Sequence, residues 1–103
     1  MISVIASIRL HEGERESFLQ IFNANVPEVR REAGCLEYYP AVDVDSGIPV
    51  QRLDPDMVTI IEKWQSLEAL KAHLAAPHML AYKENVASLV KEISLKVLTG
   101  AEG

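Results

Sequence analysis

Apolar and polar residues alternate from Ile2 to Leu10. Ile2, Val4, Ala6, Ile8 and Leu10 fall on one side, and Ser3, Ser7 and Arg9 on the other. This is the period-two pattern of a strand with one buried face. The period then changes: Phe18, Ile21, Phe22, Val26 and Val29 recur at helical spacing and predict an apolar stripe that lies across a sheet. Glu12, Glu14 and Glu16 precede that stripe, where the positive end of a helix dipole favours negative charge. Pro27 lacks a backbone donor and crowds the preceding turn. A kink or short break is therefore expected near Asn23, with a second segment closing at Gly34 as the C′ residue.

Residues 35–42 alternate again, with Leu36, Tyr38 and Val42 on one side and Cys35, Tyr39 and Ala41 on the other; Pro40 marks an edge strand or a bulge. Residues 43–56 hold Gly47, Pro49 and Pro55 among acidic residues and predict a long loop, a lid or a dimer contact. Its tip, residues 48–53, could itself form a short strand. Residues 57–64 give the clearest strand, with Val58, Ile60, Glu62 and Trp64 on one face. Ser66 then caps a helix with Glu68 in its first turn and Leu67, Leu70 and Leu74 along its stripe. Pro77 starts a further helical segment, with Met79, Tyr82, Val86, Leu89 and Val90 on its apolar face. Ile93, Leu95 and Val97 alternate as a last strand.

The resulting order, β-α-β-β-α-β with the second helical region in two pieces, predicts an α+β, ferredoxin-like fold: an antiparallel sheet with helices on one face. Ile5, Ile61 and Leu98 fall on the other face, and covering them suggests sheet-on-sheet dimerisation.

Composition narrows the function. At 103 residues a second core would leave both halves too small to fold alone, so one domain over residues 1–103 is expected. Fifteen acidic against ten basic residues give a net charge of −5, and no run of Lys or Arg offers the positive footprint that a phosphate backbone requires, which sets nucleic acid aside. The N-terminus lacks the basic start and continuous apolar run of a signal peptide, and no segment has the length of a membrane span. The single cysteine, Cys35, has no partner for an internal disulfide and fits a reducing cytoplasm.

Candidate chemistry gathers between Glu62 and Tyr82, a stretch expected to form one wall of a pocket. His78 and Tyr82 are four apart and share a helix face, where an imidazole and a phenol together could hold and deprotonate a phenolic substrate. A helix N-terminus disfavours an imidazolium, which keeps His78 in its basic form. His73 flanks the Leu70 stripe and looks into the gap between helix and sheet. Trp64 offers a flat surface for a planar ligand or for the core. Glu62, among Val58 and Ile60, must be paired or have a raised pKa, with a structural salt bridge as its default role. Only one of Tyr38 and Tyr39 can face a given pocket, and Asn25 could orient an oxygen through its amide. No glycine-rich phosphate loop, GxSxG, CxxC or HExxH occurs. His73 and His78 are five apart, which misses the spacing of a helical metal pair, so no metal site is expected.

AGCLEYYP after the first helix, IIEKWQSLEALKAHLAAPHMLAY, and a final strand together resemble the antibiotic biosynthesis monooxygenase family, most closely its bacterial quinol monooxygenases. VPEVRREAGC and DSGIPVQRLDPD extend the similarity over almost the whole chain. The resemblance implies a homodimeric, ferredoxin-like α/β-barrel with one pocket per subunit. It also implies oxidation of electron-rich phenols such as quinols by O₂ without flavin, haem or metal. On that reading His78 or His73 is the base, Tyr82 and Asn25 orient oxygen atoms, Trp64 stacks on the ring, and Tyr38 and Glu62 line the site. Haem-degrading relatives use an asparagine on the first strand and an axial histidine on the last helix. ISVIASIRL has no asparagine, and Lys83 falls near the axial position. Other relatives process quorum-sensing sugars or isomerise lactones, and a non-catalytic dimer that sequesters aromatics is a further alternative.

Overall fold

The computed structural model describes residues 1–102. Its elements follow the order β1 (Ile2–Leu10), α1 (Arg15–Arg30), β2 (Cys35–Ala41), β3 (Met57–Trp64), α2 (Leu67–Ala75), α3 (Pro77–Val86) and β4 (Val90–Leu98). The strands form one antiparallel sheet in the order β2-β3-β1-β4. This is the ferredoxin-like α+β arrangement that the alternation of periods predicts.

Register turns alternation into a core. Ile8 lies opposite Val58, Ala6 opposite Ile60 and Val4 opposite Glu62, so the inward residues of both central strands share the face that the helices cover. Phe18, Phe22, Val26 and Val29 of α1 are buried against it. Phe22 stacks on Tyr38, with ring centroids 5.3 Å apart, and meets Tyr82 edge-on at 5.7 Å. Such aromatic pairs contribute about 0.5–1.5 kcal/mol each beyond the area they bury.

Several local expectations give way to packing. The helix α1 runs through Pro27 without a break: Val26 and Val29 on either side of it are both buried, and that anchoring offsets the lost backbone donor. It stops at Arg30, so Gly34 is not its C′ residue but belongs to the turn that follows. A register shift between Cys35 and Glu37 takes Leu36 out of the face that Tyr38 occupies, and Leu36 is exposed. The nine residues of α2 bury Leu70 and His73, an i, i+3 pair, while Leu67 and Leu74 are exposed. Leu89 and Val90 lie beyond α3, because the Leu89 carbonyl accepts from the His11 backbone N–H at 3.0 Å and ties the chain to the end of β1.

The segment 42–56 forms no strand at its tip. Its own side chains hold it: Gln51 Nε2 donates to the Val44 carbonyl at 2.7 Å, the Asp54 N–H donates to Asp43 Oδ2 at 2.8 Å, and Arg9 pairs with Asp54. Val44, Ile48, Val50 and Leu53 along it are exposed.

The sheet is covered unevenly. Ile93, Leu95 and Val97 pair with Ile8, Ala6 and Val4 and so face the helix side, yet they are 44–61% exposed. Among the described residues no helix packs closely over β4. On the opposite face Ile5 and Ile61 are half-buried and Leu98 is exposed.

Gly34 fixes how the turn after α1 meets α2. Its φ is +84°, and a Cβ there would stand 2.6 Å from Ala69 Cβ. Gly34→Ala is therefore expected to destabilise the protein by about 1–3 kcal/mol, combining a left-handed backbone with overpacking. Urea denaturation measures this, and a loss below about 0.5 kcal/mol would contradict the close approach.

Candidate functional site

The helix α2 begins at Ser66, whose hydroxyl accepts the Ala69 N–H at 3.1 Å, and ends at Ala75. Its inner side delivers His73 to the gap between helix and sheet, where the residue is only 1% exposed. The α1–β2 turn arrives from the other direction. The Gln65 N–H donates to the Gly34 carbonyl at 2.9 Å, and the close contact with Ala69 seats the turn on α2. Glu32, just ahead of Gly34, reaches His73 from there: its Oε2 lies 2.8 Å from His73 Nδ1.

The carboxylate of Glu32 requires that Nδ1 carry the proton and donate it. Nε2 is then the basic nitrogen, the orientation by which a carboxylate commonly fixes a histidine tautomer. Burial pushes the His73 pKa below its usual value, against the opposing pull of the Glu32 hydrogen bond and charge, and the neighbouring His78 and Lys83 push it down further. Burial thus favours the neutral ring, whose Nε2 carries the free lone pair.

His73 lines a cavity of about 550 Å³ between sheet and helices, a size typical of small-molecule sites. Phe22, Tyr38, Ile60, Met79 and Tyr82 contribute to its wall, and Glu62, Lys83 and Leu95 also border it. The exposed inner face of β4 is its open flank. Burial, reinforced by the charge of Glu62, raises the pKa of both Tyr38 and Tyr82, so their hydroxyls stay protonated and can donate. Tyr38 is the tyrosine on the cavity side, while Tyr39 lies on the outer face of the sheet and is exposed.

Glu62 takes a different partner from the cation that a salt bridge would need. Its Oε1 accepts the Trp64 indole N–H at 2.9 Å. Burial raises its pKa, the tryptophan hydrogen bond counteracts this, and Glu32 adds to the rise. Trp64 itself is fully buried. Its ring packs against His73, with centroids 4.6 Å apart and planes tilted by 35°, so it backs the imidazole from behind.

His78 and Asn25 lie elsewhere. Together with Gln20 and Asn85 they border an open groove between α1 and α3, on the far side of Tyr82, which touches both spaces. His78 Nδ1 lies 3.1 Å from Asn25 Oδ1, and the Asn25 amide donates to Met79 Sδ at 3.4 Å. His73, Tyr82, Tyr38 and Glu62 thus share the cavity, while His78 and Asn25 form a second cluster. The sequence reading missed Glu32 and Met79. Met79 was assigned to the helix stripe alone. A carboxylate two residues before a glycine that closes a helix–strand turn was the available signal for Glu32.

The antiparallel ferredoxin-like sheet thus carries a cavity lined by apolar and aromatic side chains beside a carboxylate-held histidine. Residues 1–85 match the family described as antibiotic biosynthesis monooxygenase, and the chain belongs to it. It is 42% identical over 100 residues to the probable quinol monooxygenase YgiN of Escherichia coli K12, spanning 95% of this chain and 96% of that protein; the Shigella flexneri protein of the same name matches to the same extent. Among solved structures, PA3566 from Pseudomonas aeruginosa superimposes with a TM-score of 0.81 at 27% identity, covering 98% of this chain and 94% of that one. A putative antibiotic biosynthesis monooxygenase from Nitrosomonas europaea shares the fold with a TM-score of 0.84 at 18% identity, covering 99% and 100%. Family and curated relatives together identify a monooxygenase.

The raised pKa of Glu62 gives a signed pH dependence. Between its unfolded pKa and its higher folded pKa the native state holds a proton that the unfolded chain has released, so stability falls as pH rises through that window. Glu62→Gln keeps an oxygen for the Trp64 N–H but removes the titration. The variant is expected to gain stability relative to the parent as pH rises from 4 to 7, as read from paired denaturation curves. A constant difference across that range would contradict the burial penalty.

Proposed function

We propose that this protein is a cofactor-independent monooxygenase that oxidises quinols or related electron-rich phenols to quinones with O₂. The observation that carries the reading is His73: a neutral imidazole held by Glu32 through Nδ1, with Nε2 as its basic nitrogen, on the wall of an aromatic cavity. A phenol in that cavity gives its proton to Nε2. The phenolate, far more reducing than the phenol, passes one electron to O₂. The semiquinone and superoxide then either recombine through a new carbon–oxygen bond or exchange a second electron, giving quinone and peroxide. Tyr38 and Tyr82 orient the oxygen atoms as hydrogen-bond donors, and the apolar wall keeps water from competing. A sugar phosphate would be less well served, since Lys83 is the only cation bordering the cavity among the described residues.

In this reading the chain acts as one domain of residues 1–103, in the cytoplasm, as a homodimer. The half-bare face around Ile5, Ile61 and Leu98 supports association, because exposed sheet faces of this kind are ordinarily covered. Light scattering at micromolar concentration should return twice the chain mass, and a clean monomer would overturn the dimer.

The activity is tested by O₂ uptake from metal-stripped protein supplied with a reduced naphthoquinol, with the spontaneous rate subtracted. His73→Ala should lower the enzyme-dependent rate by about 10²- to 10⁴-fold. Uptake no faster than background, or undiminished in the variant, would reject this chemistry.

A further inference from the structure

The two histidine clusters meet at one atom. Glu32 Oε2 lies 2.8 Å from His73 Nδ1 and 3.4 Å from His78 Nε2. His73 faces the cavity and is almost wholly buried, whereas the His78 side chain is 25% exposed and borders the α1–α3 groove. A single carboxylate oxygen therefore bridges the interior of the site and its exterior.

The hydrogen-bond polarity around His78 adds a constraint. Thioether sulfur can only accept, so the Asn25 amide nitrogen that faces Met79 Sδ fixes which end of the amide is its oxygen. That oxygen, 3.1 Å from His78 Nδ1, requires a proton on Nδ1. In neutral His78, Nε2 then carries a lone pair 3.4 Å from a carboxylate oxygen. Two acceptors face each other, and the contact becomes attractive only when a proton stands between them.

We propose that Glu32, His73 and His78 form one proton relay that links the cavity to the α1–α3 groove. This rests on the quinol reading for its substrate and adds a role for two residues that do not touch that substrate. The phenolic proton goes to His73 Nε2, and the proton on His73 Nδ1 passes to Glu32 Oε2. Glu32 gives it to His78 Nε2, and His78 gives a proton to water in the groove; the same path run backwards returns protons to reduced oxygen. The base is reset when His73 Nε2 gives that proton to reduced oxygen in the cavity and Nδ1 takes one back along the same path. Glu32 and His78 act as positioning and relay residues. The groups facing the relay are Tyr38, Cys35 and, through its bond to the Tyr38 carbonyl, Arg30 on the β2 side; Glu62 on β3; and Tyr82 and Lys83 on α3.

Glu32→Gln keeps the size of the side chain and its capacity to hydrogen-bond, but cannot carry a proton between the rings. Glu32→Asp keeps an acid. With quinol as substrate, Glu32→Gln and His78→Gln are expected to lower kcat at least about tenfold, with KM little changed and the pH–rate profile displaced. Added imidazole should restore rate to His78→Gln, and Glu32→Asp should recover part of what Glu32→Gln loses. Independently of turnover, the ring nitrogens of His73 and His78, followed by nitrogen-15 NMR against pH, should titrate as a coupled pair. The His73 curve should shift in His78→Gln. A His73 titration unmoved by His78→Gln, or a Glu32→Gln protein that turns over at the parent rate, would overturn the relay. Coupled titration in a protein that consumes no O₂ would instead leave the relay standing and reject the quinol substrate.

Discussion

Glu32 reaches His73 because residue 34 has no side chain. The turn after α1 presses on the first turn of α2 so closely that a single methyl group would collide with Ala69. The Gly34 carbonyl is already committed to the Gln65 N–H, so the turn cannot back away without leaving a donor unpaired. This contact sets the distance between two elements far apart in sequence, and the acid–histidine pair inherits its geometry from it. Function here depends on a backbone clearance more than on either functional side chain.

The same layer shows how a small protein accommodates ionisable groups among aromatic ones. His73 and Glu62 are both buried, and each has a single strong partner: a carboxylate for the histidine, an indole N–H for the glutamate. Trp64 serves both, donating to Glu62 at its nitrogen and packing its ring on His73. An unpaired buried charge would cost several kcal/mol. These pairings lower that cost without removing it, and the residual mismatch appears as the shifted pKa values of both residues. The strain of burial is thus stored in protonation equilibria, where acid–base chemistry can draw on it.

Most of the architecture was legible in the sequence, for the reason that one-sided burial writes a period into the chain. The strand from Met57 to Trp64 shows it most clearly, every second residue being buried. The features that were not legible depend on contacts across sequence. Pro27 predicts a break only when its helix is considered alone; Val26 and Val29, both buried, hold the helix through it. Leu36 looks like a partner of Tyr38 until a register shift turns it outward. Leu74 looks like core until the short α2 spends its inner positions on Leu70 and His73. For the site, a local reading brought together His78 and Tyr82, which are four apart. The pairing of His73 with Glu32, 41 positions away, has no local period to reveal it. Trp64 suits either a planar ligand or the core by its sequence position, and in the structure its ring lies buried against His73.

The cavity wall is itself built from phenols. On the proposed chemistry, Tyr38 and Tyr82 belong to the same functional class as the molecule being oxidised, and they line the space where oxygen is reduced. Their safety lies in their protons. An O–H phenol gives up an electron far less readily than a phenolate, and burial beside Glu62 makes these two tyrosines weaker acids than a phenol in water. Held as O–H phenols, the two tyrosines are, on that chemistry, poorer electron donors than a substrate phenolate.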